Sequence, residues 1–223
     1  MKEKYVFLGF PLSPDAPSPP AIPPVQLKPF LTLEKDSANV TMLQFTSHTG
    51  THLDTPGHVE KDGLRLTDFD ASDFVFHSPL VIDLPMTDAQ VVQPEDLLPF
   101  VDRAQEVDLL MFRFGYGIVR RMDPKRYSLK SPGFGVESAQ FLLDYFPKLR
   151  ALGMDVPSLS CIETLEQTFP AHNILLKGVG RKFLVIEDMN LEQELSGLAQ
   201  VFVAPLLVEK IDGNPATIIG VIR

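Results

Sequence analysis

Apolar positions fall mostly into short uninterrupted runs, the pattern of strands buried on both faces. Residues 80–84, 107–112 and 183–186 are of this kind, with shorter strands expected at 5–10 (Tyr-Val-Phe-Leu-Gly-Phe) and 152–155. Leu31 to Asp36 and Val40 to Phe45 read as two more, broken by a turn at Ser37-Ala38-Asn39. Gln200 to Ile211 and Ala216 to Ile222 form a closing pair joined across Asp212-Gly213-Asn214, and Pro205 marks an edge or a bulge in the first.

The helical period is rarer. Ala139, Leu142, Leu143 and Phe146 recur at i, i+3, i+4 and i+7, an amphipathic stripe that Pro147 should end. Pro94-Glu95-Asp96 opens a short helix, with proline in its first turn and acids at the positive end of its dipole. Ser160-Cys161-Ile162-Glu163 has capping-box spacing and predicts a helix to about Phe169-Pro170, with His172 exposed beyond it. Glu163 has a structural job there. Tyr127 to Phe134 reads as a loop. Strands outnumber helices, which suits one α+β or α/β domain spanning 1–223 with a mixed sheet or barrel. Residues 11–29 hold prolines at 11, 14, 17, 19, 20, 23, 24 and 29, so an extended arm is expected, a lid or spacer in preference to a PxxP ligand.

The formal charge of −9 argues against nucleic acid, which is held by neutralising phosphates with Lys and Arg. No apolar run reaches the roughly 18 residues that span a bilayer, and residues 2–10 do not resemble a secretory leader. A single cysteine, Cys161, excludes an internal disulfide and reads as a small buried hydrophobe. A cytoplasmic protein acting on a small molecule, with neither nucleic acid nor membrane as partner, is the expectation.

Candidate chemistry concentrates in residues 47–59, Ser-His-Thr-Gly-Thr-His-Leu-Asp-Thr-Pro-Gly-His-Val, which hold three of the five histidines. Gly50, the β-branched Thr49, Thr51 and Thr55, and Pro56 argue against a helix. His48, His52 and Asp54 have even spacing, so one strand would aim two imidazoles and a carboxylate to one side. Those are the donors a divalent metal accepts. A stretch of polar turn residues with satisfied histidines is the simpler reading, and three histidines around an aspartate weigh against it. His77, set among Phe74, Phe76 and Pro79, reads as structural.

The stretch His48 to His58 matches H-x-G-T-H-x-D-x-P-x-H and resembles the signature of the cyclase-like metal-dependent hydrolases, the family of bacterial kynurenine formamidase and isatin hydrolase. Gly153-Met154-Asp155-Val156-Pro157-Ser158 is similar to the family's G-x-D-x-P-S turn. His172 with Leu175, Glu187 with Asn190-Leu191, and Pro205-Leu206 with Asp212-Gly213-Asn214-Pro215 resemble its later elements. The resemblance implies a swivelling β/β/α-barrel type of fold and an oligomer built from homodimers. It also implies one divalent metal, Zn²⁺ foremost or Mn²⁺, on His48, His52 and Asp54. In two-metal members Asp54 would bridge to a second ion on His172 and Glu187. His58 falls at the family's proton-transfer position.

The chemistry supports these roles separately. A divalent metal lowers the pKa of water from 15.7 to about 7. Two ions need a bridging ligand, which a carboxylate suits better than an imidazole. His58, four residues past Asp54 across a Pro-Gly turn, can take a proton from water and return it to a leaving amine. Hydrolysis of a small amide, an arylformamide or a cyclic amide, is the leading expectation. A metal-dependent cyclase or dehydratase and a metal-stabilised binding protein stand as alternatives. Where relatives carry Arg-Thr-Gly and then Trp, this chain has Arg113-Phe114-Gly115-Tyr116 and no tryptophan, leaving phenylalanines or Tyr116 for an aromatic pocket.

Overall fold

The computed structural model describes residues 2–178 and 180–223. In chain order its strands are β1 (Lys4–Phe7), β2 (Gln26–Leu31), β3 (Val40–Gln44), β4 (His52–Asp54), β5 (Val75–Phe76), β6 (Pro79–Asp83), β7 (Val91–Val92), β8 (Leu109–Arg113), β9 (Gly133–Phe134), β10 (Ala151–Met154), β11 (Leu184–Glu187), β12 (Leu198–Pro205) and β13 (Gly213–Ile222). The helices are α1 (Pro94–Leu97), α2 (Gly117–Met122), α3 (Pro124–Lys130), α4 (Val136–Tyr145), α5 (Leu165–Thr168) and α6 (Pro170–Leu176).

A mixed sheet runs in the order β5-β12-β13-β4-β11-β10-β8-β6, with β1 also paired to β13. β6, β8, β10 and β11 are parallel, and the remaining pairs are antiparallel. Only His77 and Ser78 separate β5 from β6, yet these strands lie at opposite ends of the order. The sheet therefore curls back on itself into a nearly closed barrel, and the Asp108 carboxylate accepts both backbone N–H groups of that link.

Alternation along the strands divides the core in two. Leu109, Met111, Leu184, Ile186 and Leu53 fill the barrel, whereas Leu110, Phe112, Leu152, Met154 and Val185 face the helices. His52 and Asp54 flank Leu53, and Glu187 follows Val185 by two, so all three point to the helix side.

Several expectations are corrected. The first strand of the β2–β3 hairpin lies at Gln26–Leu31 rather than 31–36, taking in the end of the proline arm. Pro29, paired with Thr41 beside a bulge, is tolerated because this two-stranded ribbon has free edges. Residues 127–130 belong to α3 and not to a loop: the Asp123 carboxylate accepts from Arg126 N, Pro124 opens the helix, and Tyr127 is buried. Pro170 does not end the helical region but opens α6 at a position where a missing N–H costs nothing, so His172 is buried instead of exposed. Ser160 makes no helix cap, and its hydroxyl bonds His172 Nδ1 at 3.1 Å. Among the described residues no helix is long and apolar enough to cross a membrane.

Candidate metal centre

The centre assembles where β4 is sandwiched between β11 and β13. His52 pairs with Glu187 on one side, and Asp54 with Gly213 on the other. Directly opposed residues of antiparallel strands share a face, so His52 and Glu187 converge. Even spacing accounts for His52 and Asp54 only. His48 lies before the strand, beyond Gly50 at φ +63, and reaches the site by that turn rather than by alternation. A 3₁₀ turn over Pro56–His58 brings His58 back, and α6 delivers His172. Thus His48, His52, Asp54, His58, His172 and Glu187 line one cavity of about 220 Å³. A larger cleft of about 370 Å³ near Arg103 and Arg113 carries no imidazole, only those cations with Asp83 and Glu194.

Coordinating atoms of His48, His52 and Asp54 lie within 4.8 Å of one another, as do those of Asp54, His58 and His172. Glu187 stands between the two sets, with Oε2 3.2 Å from His52 Nε2 and Oε1 3.4 Å from His172 Nε2. Leu159 N–H donates to the same Oε1 at 2.7 Å.

The bonding of His52 tests whether these residues fit a metal. Its Nδ1 donates to the Gly50 carbonyl at 2.8 Å, which leaves the Nε2 lone pair pointing inward. Nε2 is buried without a hydrogen-bond partner, 3.2 Å from Glu187 Oε2 and 3.6 Å from Asp54 Oδ1. A lone pair facing two carboxylate oxygens is repulsive unless a cation or a proton lies among them. The donor set fits a divalent metal.

Without metal, protons take that place. Burial works against the His48 imidazolium, but Nε2 bonded to Asp212 Oδ2 at 3.0 Å and Nδ1 bonded to Asp54 Oδ1 at 2.8 Å push its pKa up to about 10. Burial would likewise depress His52 and His58, yet Glu187 and Asp212, respectively, raise them. Burial would raise Glu187, but His172 and His52 hold its carboxyl far below the usual range. An imidazolium favoured only in the folded chain stabilises it fully below pH 6.5, the ordinary histidine value, and that contribution is lost as pH rises towards 10. The thermal midpoint of the metal-free protein should therefore fall between pH 7 and 10. A level or rising midpoint over that range would count against this assignment. Metal must displace these protons, so its affinity should rise over the same range.

In sequence Asp212 reads as part of a hairpin turn, whereas the fold sets its carboxylate against two of the cavity's histidines. Its Oδ2 accepts from His58 Nδ1 at 2.9 Å as well as from His48. An Asp-Gly pair between two strands is explained by turn chemistry alone, which concealed it. Pro19, Ala21 and Ile22 of the arm, with Ile162, Leu165 and Phe169, supply an apolar lining to the same cavity that no local pattern announces. Tyr116 takes no part, since it is buried elsewhere with its hydroxyl donating to Asp88 at 2.7 Å.

The sequence model of the family described as "Putative cyclase" matches residues 6–160. This chain belongs to that cyclase family. Among its relatives, cyclase-like protein 3 of Oryza sativa subsp. japonica is 28% identical over 80% of this chain and 64% of its own length. The chain thus spans less than two thirds of that relative. A kynurenine formamidase of Bacillus anthracis is 24% identical over 95% of this chain and 94% of its own. In fold, this cyclase-family chain is similar to isatin hydrolase A from Labrenzia aggregata, with a TM-score of 0.82 at 20% identity over 99% and 94% of the two chains.

Gly213 is the glycine this centre most needs. A Cβ there would lie 2.5 Å from the Leu53 carbonyl oxygen, 2.9 Å from His48 Cε1 and 3.3 Å from Asp54 Oδ1. Gly213→Ala should destabilise the fold by about 1–3 kcal/mol through overpacking against backbone and weaken metal binding. Urea unfolding checks the first; an unchanged midpoint would show that β13 yields freely.

Proposed function

We propose that this chain is a single-domain, metal-dependent hydrolase that cleaves a small amide, an arylformamide or a cyclic amide. The observation that carries this reading is the inward lone pair of His52 Nε2, orphaned between Glu187 and Asp54 in a cavity lined by three further histidines. His48, His52 and Asp54 would hold one divalent ion, and His172 with Glu187 a second that shares Asp54. Zn²⁺ suits these nitrogen and oxygen donors foremost, and Mn²⁺ is the other candidate. Such an ion acidifies water towards a pKa of about 7 and polarises an amide carbonyl.

The chain's own groups do the remaining work. His58 donates Nδ1–H to Asp212, which fixes the tautomer and leaves Nε2 to accept a proton and return it to the leaving nitrogen. Asp212 steadies the imidazolium formed in between. The arm and the Ile162–Phe169 segment hold an apolar substituent and exclude water. Among the described residues no lysine or arginine lines the cavity. That favours an uncharged aryl or cyclic amide over one carrying a charged amino-acid tail.

Zn²⁺- or Mn²⁺-loaded protein assayed on formanilides, isatin, simple lactams and N-formylkynurenine tests this, with product masses separating gain from loss of water. Turnover of the uncharged amides with gain of water is expected. No turnover above the metal-free protein across the panel would refute the proposal.

A homodimer belongs to the same reading. The β2–β3 hairpin leaves Leu27, Phe30, Met42 and Leu43 exposed, and a two-stranded ribbon alone is marginally stable in water. A monomeric mass by light scattering across a dilution series would remove this part.

A further inference from the structure

Asp188, the residue after Glu187, is the hub of a buried network to which the reaction assigns no task. It adopts φ +54, a left-handed conformation that persists in a residue other than glycine only where the surroundings enforce it. Arg120 supplies the enforcement: Nε donates to Asp188 Oδ1 at 2.7 Å and Nη2 to Oδ2 at 2.8 Å, a bidentate pair. The Tyr127 hydroxyl donates to the same Oδ1 at 2.5 Å. Asp188 is 2% exposed and Tyr127 fully buried. Arg120 is held in turn by stacking on the Phe10 ring, 3.8 Å from its centroid.

The backbone of Asp188 ties this clamp to both ligand-bearing strands. Its N–H donates to the Val156 carbonyl at 2.7 Å, and its carbonyl accepts the Thr51 hydroxyl at 2.5 Å. Thr51 Oγ1 also accepts from Phe10 N at 2.8 Å. Thr51 lies between His52 and Gly50, the residue whose carbonyl fixes the His52 ring. Asp188, clamped through its carboxylate, thus holds a strand end one residue from Glu187 and, through its carbonyl, a turn one residue from His52.

We propose that Arg120 is a positioning residue for the metal centre, acting through Asp188 to set Glu187 and His52 relative to each other. The idea rests on the metal-centre reading above. A bidentate guanidinium imposes a plane on Asp188 that a lysine ammonium cannot. Groups that orient metal ligands at one remove are worth about tenfold to a hundredfold in metal affinity.

The test is calorimetric titration of metal-free protein with Zn²⁺, comparing wild type, Arg120→Gln, Arg120→Lys and Arg150→Gln. Arg150 is the matched control: it pairs with Asp108 at 3.3 Å and stacks over Phe76, but at the start of β10, away from the centre. Arg120→Gln should weaken Zn²⁺ about tenfold to a hundredfold, Arg120→Lys should recover only part, and Arg150→Gln should leave affinity unchanged even where it lowers the thermal midpoint as much. Equal affinities for wild type and Arg120→Gln would overturn the proposal, as would equal losses in Arg120→Gln and Arg150→Gln. Should Arg120→Gln not fold, Tyr127→Phe removes one bond to Asp188 at nearly constant volume; weaker Zn²⁺ binding supports the proposal and unchanged binding overturns it. Wild-type protein that takes up no Zn²⁺ would overturn the metal centre itself, and this inference with it.

Discussion

His52→Ala is expected to abolish tight metal binding and to lower kcat/KM by on the order of a thousandfold or more, because water then returns from a pKa near 7 towards 15.7. His52 is buried, and its Nε2 lies 3.2 Å from Glu187 Oε2 and 3.6 Å from Asp54 Oδ1, so its removal takes away the nitrogen donor set between the two carboxylates. The barrel core sits on the other face of β4, around Leu53. Folding should survive, and the thermal midpoint in the absence of metal should change far less than the rate. Activity within tenfold of wild type would show that His52 is no ligand.

His58→Gln separates proton transfer from metal binding. Its kcat should fall by about 10²–10⁴, the usual worth of a positioned acid–base group, while metal content stays at the wild-type value. His58 bonds Asp212, and its side chain is a quarter exposed, unlike the buried His52 and His172. Glutamine can keep the bond to Asp212 but cannot carry the proton. Loss of metal together with activity would move His58 into the ligand set.

How far the sequence reveals the site differs from residue to residue. His52 and Asp54 are legible because a strand's period of two is a property of the backbone. His48 reaches the cavity not by alternation but through the positive φ of Gly50, which no periodicity encodes. His172 is expected exposed because Pro170 reads as a stop, yet proline at the first helical position is equally a start, and the imidazole is buried. Asp212 joins the site across more than 150 residues of chain, through the pairing of β13 with β4. Such a contact is written in tertiary topology and not in local pattern.

The fold divides the same way. The runs at 80–84, 107–112 and 183–186 became β6, β8 and β11 with small shifts, since burial on both faces leaves an unambiguous apolar signature. The hairpin strand moved because exposed residues carry no such signature. α3 is masked in sequence because its start signal, Asp123-Pro124, stands just ahead of a segment rich in loop residues.

The decisive measurement is the metal stoichiometry of dialysed protein, by elemental analysis after loading with Zn²⁺, for wild type and His172→Ala. Tightly held metal is expected in the wild type, and one equivalent fewer in His172→Ala. A wild-type protein that emerges from dialysis with no stoichiometric metal, and whose thermal midpoint is indifferent to Zn²⁺ and Mn²⁺, would contradict it.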